Sequence, residues 1–155
     1  LKILNNIISK FPKHIFLIET KADLLLSHGF TKEAKKFYNK VLKVESDNIY
    51  VKKQIFNIEY DNYKKNTQLQ NKKIFNYFLD LIWEFENDIL LQKKFKDLAY
   101  SIKKDYWVIL IEGNIFVINS RNDKAIQKYN DIINNSNDEK LKSYARKKVD
   151  IISNE

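Results

Sequence analysis

Few side chains in this sequence are of the kinds and spacings that make or break bonds. Its two histidines, His14 and His28, flank loop positions, and neither has a cysteine, histidine or carboxylate pair at metal-ligand spacing. His28 precedes Gly29, which suits a helix-end residue that interacts with the last carbonyls. Glu84, Glu86 and Asp88 cluster as paired acid–base carboxylates would. Alternating positions on a helix do not share a face, so that pairing is not implied. No phosphate-cradling glycine loop and no nucleophile elbow occur. Cysteine is absent, which excludes thiol and disulfide chemistry. The expectation is a protein that is not an enzyme and uses no metal or cofactor.

Binding is the function class that remains, and charge bears on what is bound. The formal charge of +8 creates a field that attracts phosphates. It comes from 26 lysines and only two arginines, beside 18 asparagines and 21 isoleucines, the bias of an A- and T-rich genome. Arginine supplies the planar fork for bidentate phosphate contacts, so its scarcity argues against nucleic acid as the partner. A basic helical module gripping RNA or an anionic membrane surface is the alternative reading. No stretch reaches the ~18 continuous apolar residues of a membrane span. The chain starts at Leu1 and contains no methionine, which suggests a processed chain or an excised domain whose anchor or catalytic domain would lie upstream.

The elements that would position binding residues are helical. Two glycines and one proline leave few breakers for an all-β fold. Leu4, Ile7, Ile8 and Pro12 recur in spacing as Tyr38, Val41, Leu42 and Ser46, and Ile15-Phe16-Leu17 recurs as Ile49-Tyr50-Val51, a period of 34 residues. A fixed period of this size signifies stacked helical hairpins, none of which buries its apolar face alone. The spacing predicts helices over 2–11, 15–27, 32–44 and 49–64, with Pro12 and Gly29 as breaks. Thr31 is the expected cap of the third helix, and Asn48 that of the fourth. Ala22 and Ala34 are the small contacts between helices, and Ala34, Tyr38, Val41 and Leu42 form a packing face.

Regularity fades over 61–105. Residues 65–71 read as a loop and 72–91 as a helix with a broad stripe from Phe75 to Phe85. Gln92-Lys93-Lys94-Phe95 then reads as a tight turn before a helix that points Leu98, Ala99 and Ile102 inward. Residues 106–119 are β-prone enough for a hairpin closed by Glu112-Gly113-Asn114. The helical alternative is favoured because Arg121-Asn122-Asp123 leads into Ala125, Tyr129 and Ile132 as Gly29-Phe30-Thr31 leads into Ala34, Tyr38 and Val41. Ser136 and Glu139 read as a capping box opening a final helix, 137–153, with one apolar and one basic face, as a solenoid cap requires. The expected fold is all-α: one domain over 1–155, a right-handed superhelical stack of antiparallel helix hairpins ending in a capping helix.

At Ala22, Gly29, Ala34 and Tyr38 the chain resembles the tetratricopeptide repeat family, most closely over 15–48 and least over 61–105. Phe56 stands where such repeats place a small residue. The stretch from Trp107 through Gly113 and Ala125 to Ile152 also looks like the C-terminal part of the ancillary SecYEG translocon subunit family, whose members carry a membrane anchor and a periplasmic repeat domain. Residues 1–44 are similar to the repeat tail of some envelope metalloproteases.

The first resemblance implies a non-enzymatic scaffold that holds a protein or peptide partner in a concave groove, and the others imply a bacterial envelope setting. In that family the first helix of each hairpin lines the groove. Carried over, this gives Phe16, Glu19, Asp23 and Leu26 from one helix and Tyr50, Lys53, Asn57 and Tyr60 from the next. A third helix gives Trp107, Leu110, Asn114 and Val117. The partner-binding set is Phe16, Tyr50, Lys53, Asn57, Tyr60, Trp107 and Asn114, because aromatic groups bury large area and asparagine can pair with peptide backbone. Glu19 and Asp23 stand where a carboxylate clamp would need lysine and asparagine, so capture of a C-terminal carboxylate is not expected here.

Overall fold

In the computed structural model, residues 2–65 and 71–154 are described, and they form ten helices and no sheet. The helices pack mostly with their sequence neighbours, in two compact units, 1–69 and 70–155.

Unit 1 contains α1 (Lys2–Lys10), α2 (Ile15–Ser27), α3 (Thr31–Leu42) and α4 (Ile49–Lys65). Helix α1 ends before Pro12, and none of its residues is buried: Ile3 and Ile7 stand exposed, as does Phe11 just beyond it. Ile18, Ala22 and Leu25 of α2 pack with Ala34, Tyr38 and Val41 of α3, and Val51, Ile55, Phe56 and Ile58 of α4 complete the buried set. Ala22, Ala34 and Tyr38 are fully enclosed, so the small and large contacts alternate as the spacing predicts.

The turn between α2 and α3 is a Schellman closure. Gly29 lies at φ +81°, Phe30 N–H donates to Leu25 O at 2.9 Å, and Gly29 N–H donates to Leu26 O at 2.9 Å. His28 Nδ1 lies 2.8 Å from Leu24 O, the helix-end contact expected of it. Thr31 is not a cap: α3 begins at Thr31 itself, and Phe30 in the cap position has no side-chain acceptor. Asn48 does cap α4, its Oδ1 accepting from Val51 N–H at 3.0 Å.

Unit 2 contains α5 (Asn71–Tyr77), α6 (Asp80–Glu84), α7 (Ile89–Ser101), α8 (Asp105–Ile118), α9 (Asn122–Asn135) and α10 (Glu139–Ser153). The loop expected over 65–71 lies outside the described residues, apart from Lys65 and Asn71, which end α4 and begin α5. The helix expected over 72–91 is instead two short helices and the start of a third. Its apolar stripe does continue, with Phe75, Phe78, Leu81 and Ile82 buried. Tight turns interrupt the backbone, however, as Leu81 N–H donates to Phe78 O at 3.0 Å and Asp88 N–H to Phe85 O at 3.0 Å. Asp88 then caps α7 by accepting from Leu91 N–H at 3.0 Å. The turn expected at Gln92–Phe95 lies inside α7, where Gln92 and Phe95 are both fully buried.

Residues 106–118 are helical, within α8, and Asn119 is the residue that ends it. Two further Schellman closures join α7 to α8 and α8 to α9, with Lys103 (φ 55°) and Ser120 (φ 54°) in the left-handed position. Lys104 N–H donates to Ala99 O at 2.9 Å, and Arg121 N–H to Phe116 O at 2.8 Å. The cap of α10 is Asp138, whose Oδ1 accepts from Lys140 and Leu141 N–H at 2.9 and 3.2 Å. Ser136 instead accepts from Asp138 N–H at 3.0 Å, so a simple aspartate cap stands in place of the expected capping box and the helix starts at 139.

Candidate functional site

The two units repeat one polar device. In unit 1, Tyr38 on α3 donates its hydroxyl to Asp23 Oδ1 at 2.5 Å, and Tyr50 on α4 donates to the same oxygen at 3.0 Å. In unit 2, Tyr129 on α9 donates to Asn114 Oδ1 at 2.8 Å, and the hydroxyl of Tyr144 on α10 lies 3.3 Å from the same oxygen. A shift of 91 positions carries Phe16 onto Trp107, Ala22 onto Gly113, Asp23 onto Asn114, Gly29 onto Ser120, Ala34 onto Ala125 and Tyr38 onto Tyr129. Tyr50 and Tyr144 correspond after a further slip of three. One aspartate or asparagine thus ties three successive helices together through two tyrosines.

The device is buried to different depths. Asn114 is 3 % exposed: Nδ2 donates to Gln92 Oε1 at 3.2 Å, and Oδ1 accepts from Tyr129 with the Tyr144 hydroxyl close by. Gln92 Nε2 in turn donates to Ile82 O and Phe85 O at 3.0 and 3.1 Å, supplying donors to carbonyls at the end of α6. Asn114, expected to line a groove, is placed in the core, where its side chain connects α8 to α7 and α9. Gly113 beside it admits the ring of Tyr129, and a Cβ placed there would stand 2.6 Å from Tyr129 Cε1.

Trp107 is half-buried in an aromatic stack. Its ring lies 5.6 Å from Phe75 and 5.4 Å from Trp83, and Trp83 lies 4.4 Å from Tyr144. Glu86 accepts from the Tyr144 hydroxyl at 2.9 Å and pairs with Lys148 at 2.5 Å. Burial and then the Glu86 charge raise the Tyr144 phenol above its ordinary value, and the same two causes raise Tyr129. On α8, Glu112 is held by Lys96 at 2.6 Å and Lys128 at 2.7 Å. Burial opposes its charge, but the two lysines prevail and its pKa falls below the usual carboxylate range.

In unit 1 the corresponding face is open. Phe16, Glu19 and Asp23 share one side of α2 at spacings of three and four, with Phe16 67 % exposed and Tyr50 of α4 41 % exposed beside them. Glu19 accepts from Asn48 Nδ2 at 3.2 Å, which links the start of α4 to α2. Burial, then hydrogen bonding to Asp23 and its charge, raises the phenol pKa of Tyr38 and that of Tyr50. Lys53 and Asn57 are half-buried farther along α4. Tyr60 packs with Phe56 at 6.1 Å and Tyr63 at 6.0 Å, about 15 Å along the helix from Tyr50.

Of the expected partner-binding residues, the structure brings Phe16 and Tyr50 to one face, sets Lys53, Asn57 and Tyr60 along the helix that carries Tyr50, and covers Trp107. Glu19 and Asp23 depart from a carboxylate clamp as expected from their types, and Asp23 is in addition the acceptor for two tyrosines, a role not expected from the sequence. The signal was the 15-residue separation of Asp23 from Tyr38, repeated between Asn114 and Tyr129. Glu84, Glu86 and Asp88 do not form an acid–base pair: Glu86 serves Tyr144 and Lys148, and Asp88 caps α7.

Among the described residues no group of three His, Cys, Asp or Glu side chains is placed to hold a metal ion. No described helix is long and apolar enough to cross a membrane. Compared with protein-family models, curated proteins and solved structures, the chain matches none.

Proposed function

We propose that the protein is a non-enzymatic, tetratricopeptide-like helical-repeat module, a right-handed stack of hairpins that holds a protein or peptide partner on the α2–α4 face. The observation that carries this reading is the exposure of Phe16 and Tyr50 beside Asp23 and Glu19. Large aromatic side chains on a rigid helical face are the groups that dominate binding energy at protein interfaces. The hydrogen bonds of Tyr50 and Tyr38 to Asp23 support it further, since they hold the face in one geometry before a partner arrives and so reduce the ordering cost of binding. The bacterial envelope setting rests on the resemblances of residues 1–44 and of the C-terminal third alone.

The test is affinity capture with chemical cross-linking from the cells that make the protein. We compare the native chain with a Phe16→Ala, Tyr50→Ala double variant that retains its helical circular dichroism. A protein partner recovered with the native chain and lost with the variant is the expected result. Recovery of the same partner with both sinks this placement of the site, and recovery of RNA with no protein sinks the reading as a whole.

A further inference from the structure

Unit 2 carries its own occupant on the face that corresponds to the open face of unit 1. Trp107 and Tyr144, the counterparts of Phe16 and Tyr50, are covered by the indole of Trp83 at 5.4 and 4.4 Å. Three positions beyond Trp83, the carboxylate of Glu86 meets the Tyr144 hydroxyl at 2.9 Å and the Lys148 ammonium at 2.5 Å. An aromatic group and a charged group three residues apart therefore satisfy this face from within the chain. Their positions show what the repeated geometry accepts.

The face of unit 1 has a corresponding aromatic pair, Phe16 and Tyr50, and the opposite charge. By the same register Asp23 replaces Asn114, Glu19 replaces Leu110, and Gln54 replaces Lys148. A carboxylate placed as Glu86 is placed would lose its ammonium partner and meet two carboxylates. Like charges brought together at an interface oppose binding, whereas opposite charges steer it and fix its register. A cation there would find Asp23 and Glu19 and could also lie over the Tyr50 ring.

We infer that the α2–α4 face accepts a peptide segment bearing an aromatic side chain and, about three positions away, a lysine or arginine. The aromatic group packs on Phe16 and Tyr50 as Trp83 packs on Trp107 and Tyr144, and the cation is set against Asp23 and Glu19. This rests on the peptide-holding reading above and names the chemistry of its partner.

The experiment uses the full chain and three labelled peptides of one parent sequence, carrying Trp-x-x-Lys, Trp-x-x-Glu or Ala-x-x-Lys, with fluorescence polarisation as the readout. Trp-x-x-Lys is expected to bind at least tenfold more tightly than either of the others. Asp23→Asn, which places in unit 1 the residue that unit 2 already uses, should keep the fold and remove most of that preference for lysine. Equal or tighter binding of Trp-x-x-Glu overturns the inference and leaves the peptide-holding reading standing. Indifference to Asp23→Asn, or no binding of any of the three, also overturns it. In that case the captured partner of the preceding experiment still decides whether a protein is held by other chemistry.

Discussion

The hydroxyl of Tyr129 donates to Asn114 Oδ1 at 2.8 Å across a 15-residue separation. Tyr38 reaches Asp23 across the same separation, and in both units a second tyrosine from the next helix shares the acceptor. The bond is a cross-helix fastener: it fixes the register of one hairpin and the docking of the helix that follows. Buried polar groups that are fully paired favour a unique arrangement, and those that lose a partner cost more than the bond itself was worth.

Asn114→Leu should therefore destabilise strongly. It leaves Gln92 Oε1 and the hydroxyl of Tyr129 without their partner, while Tyr144 keeps Glu86, and buried groups orphaned in this way cost about 1–3 kcal/mol each. Tyr129→Phe removes one donor and leaves Asn114 its bond to Gln92, so a loss of about 1 kcal/mol is expected. Urea unfolding of both variants checks the order. A milder effect for Asn114→Leu would contradict the fastener.

Gly113→Ala should also destabilise, by roughly 1–2 kcal/mol net, even though alanine is the better helix former. The added Cβ would stand 2.6 Å from Tyr129 Cε1, so the ring must retreat and its bond to Asn114 must lengthen. A gain in thermal midpoint would show that the ring moves freely. Ala22, the counterpart in unit 1, already carries that methyl group.

Ser120→Gly is expected to stabilise by about 1 kcal/mol. Ser120 sits at φ 54° in the Schellman turn after α8, a conformation that costs a residue with a Cβ about 1–2 kcal/mol. Gly29 fills the matching turn after α2 without that cost. Denaturant midpoints of the two proteins are the comparison, and an unchanged or lower midpoint counts against it.

Alkaline pH should weaken the fold. The buried phenols of Tyr38 and Tyr129 are raised above their ordinary value, first by burial. The folded state keeps these protons after the unfolded chain releases them. Stability is thus fully present below about pH 10 and falls above it, by up to ~1.4 kcal/mol per pH unit for each tyrosine. At the acid end Glu112 acts in the opposite sense: its lowered pKa contributes stability above the usual carboxylate range, lost as pH falls through the lowered value. Urea midpoints measured from pH 3 to pH 11 should decline at both ends. A midpoint that stays flat above pH 10 would contradict the buried-phenol account.

The helices of 15–42 and 122–135 were legible because small and large apolar residues repeat at helical spacing in both places, whereas 106–119 is β-prone and reads as helix only through the echo that follows it. Ala22, Ala34 and Tyr38 are enclosed as that spacing requires, and Ala125 and Tyr129 repeat the pattern. The segment 72–95 was not legible for a physical reason. Its apolar stripe runs through two breaks in the backbone, and the polar run Gln92-Lys93-Lys94 resembles a turn. Gln92 is buried only because Asn114, Ile82 and Phe85 arrive from other elements to pair with it, which no local pattern records. Asn114 misled in the same way: an asparagine on a groove-type helix reads as a peptide contact until its partners are seen.

The most direct test of the partner-holding face is site-specific photo-cross-linking in the native cells. A photoreactive phenylalanine analogue is placed at Phe16 in one variant and, in a control, at Tyr100, which is 77 % exposed on unit 2. The account predicts a discrete cross-linked protein species from position 16 and none of that size from position 100. Cross-linking of the same species from both positions, or none from position 16, would contradict it.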